Sequence, residues 1–159
     1  MILYLDFDGV VHALGEPALN DNFKLLDNPN LFKWLPILEQ ILEPYPEVRI
    51  VISSDWRRLF DDDSLKRLLG PAISHRFAGI VEVAEKSRAN EILMDAAQRG
   101  LTDWLALDDH PTVVEASRTD IRFIVCKPET GLSSRTVQAT LKTRLNALLS
   151  PLLGQVRGR

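Results

Sequence analysis

Asp6 and Asp8 stand two residues apart in Asp6-Phe7-Asp8-Gly9-Val10-Val11, directly after the apolar run Met1-Ile2-Leu3-Tyr4-Leu5. Such a run reads as a buried strand, so both carboxylates fall at its carboxyl end, where Gly9 lets the chain bend. In open α/β sheets the crevice beyond the carboxyl ends of the strands is where ligands bind. Two acids crowded there repel each other unless a cation or a reaction uses them. Other polar groups share that placement. Ser53 and Ser54 follow Val48-Arg49-Ile50-Val51-Ile52, Asp108 and Asp109 follow Trp104-Leu105-Ala106-Leu107, and Lys86 precedes a helical stretch. Four carboxylates, a hydroxyl and an ammonium converging on one crevice form a site for a divalent metal and a phosphoryl group. Magnesium takes hard oxygen ligands. A phosphoryl group in transfer spreads negative charge over its oxygens and calls for a metal, an ammonium and hydrogen-bond donors. A carboxylate can itself attack phosphorus, while a second carboxyl protonates the leaving oxygen and later takes a proton from water.

The elements that must position these groups alternate along the chain. After the first strand, residues 12–28 lack a clear period and hold Gly15, Pro17 and several Asn and Asp, the mark of a functional or mobile loop. Asn28-Pro29 reads as a cap followed by proline at the first helical position. Leu31, Trp34, Leu35, Leu38, Ile41 and Leu42 then recur at helical spacing, with Pro36 either kinking the helix or marking a later start. Residues 48–52 form the second strand, and Asp61-Asp62-Asp63-Ser64 caps a short helix. Residues 79–83 suggest a third strand, 87–99 a helix stopped by Gly100, 104–107 a buried strand and 121–126 the last strand. A terminal helix opens at Ser133 or Ser134 and runs to about residue 149, with residues 150–159 expected as a tail. Strand and helix in this rhythm predict an α/β fold: a three-layer, Rossmann-like parallel sheet with helices on both faces, in a single domain spanning 1–159.

At 159 residues the chain suits one domain with one substantial core, and 45% hydrophobic with 26% charged content excludes disordered and membrane classes. A net charge of −3 provides no global basic field for nucleic acid, which leaves only a local patch. The lone Cys126 excludes an internal disulfide and suits a reducing compartment. No apolar run approaches the roughly 20 residues of a membrane helix. The apolar start is broken by Asp6 and lacks a basic lead, so it does not read as a signal peptide. The expected location is cytoplasmic.

Asp6-x-Asp8-Gly-Val, a strand ending in Ser54, Lys86 before a helix, and Leu-Ala-Leu-Asp108-Asp109 resemble, in order, the four motifs of the haloacid dehalogenase-like (HAD) superfamily. The resemblance covers roughly residues 2–149. Ser53-Ser54-Asp55-Trp56-Arg57 and Thr130-Gly131-Leu132 look most like the small capless HAD domains, including the RNA-repair-associated group. The resemblance implies Asp6 as nucleophile and Asp8 as general acid and then base, its backbone carbonyl binding magnesium. It implies Asp108 as a direct metal ligand with Asp109 as its supporting partner in the metal site. Ser54 would bind a phosphoryl oxygen, with Ser53 as the alternative. Lys86 would hold the nucleophile and balance charge, a role that Arg88 could share.

The implied activity is a magnesium-dependent phosphohydrolase working through an aspartyl-phosphate intermediate. The alternative is a regulatory module that keeps the fold and binds metal or phosphate without turnover. The intervals between motifs leave no room for a large cap domain. An open site suits a bulky phosphorylated substrate, such as a nucleic-acid end or a phosphoprotein, with Arg57 and Arg58 as phosphate contacts or a solvated corner. His12 and His110 read as structural, Trp56 as packing beneath its loop, and Cys126 as an inert core residue.

Overall fold

Alternation along doubly buried strands decides which helices cover each face of the sheet. In the computed structural model, which describes residues 1–84 and 86–149, five parallel strands form one sheet in the order β3-β2-β1-β4-β5. They are β1 (Ile2–Leu5), β2 (Arg49–Ile52), β3 (Phe77–Ile80), β4 (Trp104–Asp108) and β5 (Phe123–Val125). Leu3, Leu5, Ile50, Ile52, Leu105 and Leu107 pack on one face with α1 (Leu35–Leu42), α2 (Asp62–Leu68), α3 (Gly70–Ile73) and α6 (Arg135–Leu148). Ile2, Tyr4, Val51, Trp104, Ala106 and Phe123 pack on the other face with α4 (Arg88–Gln98) and α5 (Pro111–Ser117). This is the three-layer arrangement read from the sequence. The strand order reverses between β1 and β4, which places the crevice at their carboxyl ends.

Several boundaries differ from expectation. The first helix begins at Leu35, not at Pro29, with Pro36 in its first turn. Asn28 closes a local turn, its Oδ1 accepting from the Asn30 amide, and residues 29–34 continue as turns. The third strand lies at Phe77–Ile80, before the expected 79–83. The loop of residues 12–28 contains one antiparallel bridge, Leu19 with Leu25. Asp61 caps α2 as its acidic run predicts, Ser134, one of the two expected openers, caps α6, and Ser87, expected as the first helical residue, is the cap of α4. The expected tail, residues 150–159, lies outside the described residues.

The loop after β1 is supported from behind by the segment after β5. The Leu132 amide donates to the Val10 carbonyl at 2.9 Å. Gly131 has φ +45°, and a Cβ added there would stand 2.5 Å from the Val10 oxygen and 2.9 Å from the Gly9 oxygen. Both obstacles are backbone, so relief requires the loop itself to move. Gly131→Ala is therefore expected to cost about 1–3 kcal/mol. That corresponds to a fall in melting temperature of roughly 2–12 °C, checked by calorimetry. An unchanged melting temperature would contradict this packing.

Candidate active site

Strand parity, carried one residue past β1 and β2 and to the last residue of β4, sorts the polar groups. Asp6 shares the face of Tyr4, Ser53 that of Val51, and Asp108 that of Ala106, so all three look toward α4. The ladder holds across this level: the Asp6 amide donates to the Leu107 carbonyl at 3.2 Å and the Ser53 amide to the Leu5 carbonyl at 3.0 Å. Opposite them, the Ser87 cap starts α4 so that Arg88 occupies its first turn. Arg88 Nη1 lies 2.9 Å from Asp108 Oδ2 and 3.5 Å from Asp6 Oδ1, while Nη2 lies 3.1 Å from Asp55 Oδ1.

The charges on these groups follow from burial. Asp6 is 4% exposed, and burial, reinforced by the neighbouring Asp108 charge, raises its carboxyl well above the usual range against the pull of Arg88. Asp109 is raised by burial and by Asp108. Burial disfavours the Arg88 charge, but Asp108, Asp6 and Asp55 outweigh it and push that group up. Asp55 resists its partial burial and is lowered, chiefly by Arg88.

Asp6, Asp108 and Asp109 each present a ligand atom, and the three atoms lie within 4.8 Å of one another. Three carboxylates against one guanidinium leave negative charge uncompensated, and all the donors are hard oxygens. This donor set fits a divalent cation of the magnesium class. Gly9, at φ +75°, allows the Asp109 carboxylate to lie against the backbone of the first loop, because a Cβ there would overlap Asp109 Oδ2.

Asp8 stands apart from this group. Its Oδ1 is 2.8 Å from His12 Nε2, and its Oδ2 accepts from Trp56 Nε1 at 3.0 Å. His12 is fully buried, and its Nδ1 accepts from the Phe32 amide at 3.2 Å. His12, Phe32 and Trp56 pack ring against ring, with Phe7 and Phe60 adjoining. The Asp8 side chain is 35% exposed and faces an open cleft of about 280 Å³ together with Asp6, Asp55, Arg88 and Asp109. Leu14, Pro111 and Pro128 supply apolar walls.

Lys86 is exposed ahead of α4, and among the described residues the cation paired to the carboxylates is Arg88, two positions later. Ser54 is buried, and its hydroxyl caps the 3-10 turn Asp55–Arg58 by accepting from the Trp56 amide. Ser53 Oγ is buried with no hydrogen-bond partner among the described residues. Arg57 turns inward: it donates to the carbonyls of Ser53, Ser54 and Val81 and pairs with Glu91 at 2.8 Å. It is thus a strut and not a surface phosphate contact, while Arg58 remains exposed. His110 caps α5, its Nδ1 accepting from Thr112. Trp56 does pack beneath its loop as expected, but its indole N–H also reaches Asp8, a contact that no local spacing announces.

Among the described residues, no helix is long and apolar enough to cross a membrane. Neither the comparison with curated proteins nor that with solved structures gives a match. The sequence does match, over residues 2–137, the family described as the HAD domain in Swiss Army Knife RNA repair proteins. The match spans most of the chain, which belongs to this HAD-domain family.

Proposed function

We propose that the chain is a magnesium-dependent phosphomonoesterase that works through an aspartyl phosphate on Asp6. The supporting observation is the division among the carboxylates. Asp6 is grouped with Asp108 and Asp109 beneath Arg88, while Asp8 is held outside that group at the cleft. Asp6, Asp108, Asp109 and the Asp8 backbone carbonyl would hold the magnesium ion. When bound, the ion supplies positive charge to the phosphoryl oxygens and to the buried carboxylates.

In the first step an Asp6 oxygen forms a bond to phosphorus, and the bond to the leaving oxygen breaks as that oxygen takes a proton from Asp8. In the second, water attacks the phosphorus and gives its proton to Asp8, and the Asp6–phosphorus bond breaks. Arg88 orients the nucleophile and balances its charge, the part that the motif resemblance gives to Lys86. Lys86, exposed on the approach to α4, is left to a more distant attraction of the phosphate. We assign the phosphoryl hydrogen bond to Ser53, whose unpartnered hydroxyl shares the face of Asp6 and Asp108, and the turn cap to Ser54.

The proposed substrate is bulky, a phosphorylated nucleic-acid end. The open cleft and the RNA-repair family support this reading, with a phosphoprotein as the competing class. The same reading has the chain as one domain over 1–159 acting in the cytoplasm, where the single buried Cys126 would stay reduced.

Asp6→Asn is expected to reduce turnover of a chromogenic monoester by on the order of 10⁴-fold or more, and chelating magnesium should abolish it. Undiminished turnover in the variant would overturn the covalent route, and stoichiometric binding of phosphate without turnover would favour a regulatory module. Ser53→Ala should lower kcat/KM by about 10- to 100-fold, the worth of a hydrogen bond to a charged group. Ser54→Ala should instead cost about 1 kcal/mol of stability, as loss of a cap does. The reverse pattern in kinetics and thermal melts would return the phosphate contact to Ser54. In a panel of small phosphates, end-phosphorylated oligonucleotides and phosphopeptides assayed with magnesium, the oligonucleotides should give the highest kcat/KM. Preference for a small phosphate would remove the polymeric substrate.

A further inference from the structure

Both oxygens of Asp8 are held by neutral N–H donors whose own orientation is fixed. The Phe32 amide can only donate, so the His12 Nδ1 it approaches at 3.2 Å is an acceptor. The His12 proton therefore sits on Nε2 and is directed at Asp8 Oδ1, 2.8 Å away. The indole N–H of Trp56 can likewise only donate, and it meets Asp8 Oδ2 at 3.0 Å. Neither ring is among the residues lining the cleft, so both act on Asp8 from behind it. Phe32 presents its amide from a left-handed backbone conformation, φ +58°, which a non-glycine residue keeps only where its surroundings hold it. Its ring packs edge-on against both His12 and Trp56, at 5.2 and 5.4 Å.

From this geometry we infer that His12 and Trp56 are positioning residues that aim the Asp8 carboxyl at the departing oxygen of the substrate. The inference rests on the reading of Asp8 as proton carrier. With a donor behind each oxygen, the carboxylate cannot rotate about its last bond without losing both hydrogen bonds. The carboxyl is partly exposed where it lines the cleft, so a group there can reach it. When Asp8 carries its proton, the leaving oxygen meets it without reorientation of the carboxyl, the condition under which general acid catalysis is effective. The arrangement bears on one bond, that between phosphorus and the leaving oxygen. It should matter in proportion to how much that oxygen needs a proton.

Trp56→Phe removes the N–H while keeping an aromatic ring in the cluster. The test compares kcat/KM for an alkyl phosphate, whose leaving alkoxide is strongly basic, with 2,4-dinitrophenyl phosphate, whose leaving phenolate needs no proton. In the variant the alkyl ester should slow by about 10- to 100-fold and the aryl ester by about threefold or less. His12→Leu should show the same split, and His12→Gln, which keeps an N–H donor, should restore part of it. A structural role would scale both esters by the same factor, and that result, or no change in either, overturns the inference. If the wild-type chain turns over both esters and Asp6→Asn does not, such a result removes the positioning role alone. If the wild-type chain with magnesium turns over neither, the phosphatase reading falls and the inference falls with it.

Discussion

Among the described residues, the guanidinium of Arg88 is the cation paired directly with the carboxylates at the ends of β1 and β4, and it offsets part of the cost of crowding them. Taking ions out of water costs several kcal/mol each, and a buried acid without a partner gives up its charge instead. Asp108 is fully buried and Asp6 nearly so, yet Arg88 reaches both from one side chain and Asp55 as well. A planar fork of several donors can do this, whereas the compact ammonium of a lysine addresses one point. The Ser87 cap places that fork, and Ala89, Ile92 and Ala96 dock α4 against the sheet so that it stays in place. Local capping, helix packing and strand order thus all serve one electrostatic contact.

Much of this was legible in the sequence because strong local signals marked it. The apolar runs before Asp6 and Asp108 fixed two strands and their exits. Acids at strand ends, without neighbouring positive charge in sequence, announced that something must balance them. Which serine faces the site was not legible. Arg49 aside, β2 is apolar on both faces, so Ile50, Val51 and Ile52 carry no polar alternation to tell inside from outside. The balancing cation was displaced by two residues for a related reason. The choice between Lys86 and Arg88 turns on where α4 begins, and Ser87 was the only indicator of that start. The surroundings of Asp8 were only partly open to local reading: Phe7 and His12 lie close to it in sequence, but Phe32 and Trp56 come from separate segments that meet only in the fold.

The surface around the cleft follows from the same economy of charge. Arg57 spends its donors on the turn after β2 and on Glu91, so it braces the site from within. Asp55 extends the acidic cluster to solvent, and Leu14, Pro111 and Pro128 make part of the rim apolar. Neither the loop after β1 nor the interval between β2 and α4 builds a separate lobe among the described residues; the latter returns to the main sheet as β3. Among the described residues these intervals therefore supply no lobe to cover the cleft.

The contact of Gly131 with the backbone of Gly9 and Val10 also bears on the order in which the site comes into being. The loop carrying Asp8 precedes the segment that backs it by nearly the whole sheet, with β2 to β5 lying between them along the chain. Contacts so distant in sequence form only after intervening chain has been gathered in, which makes them slow elements of folding. The crevice of Asp6 and Asp8 thus lacks its backing until the segment after β5 has docked. The geometry that could turn over a phosphate becomes complete only when the fold does.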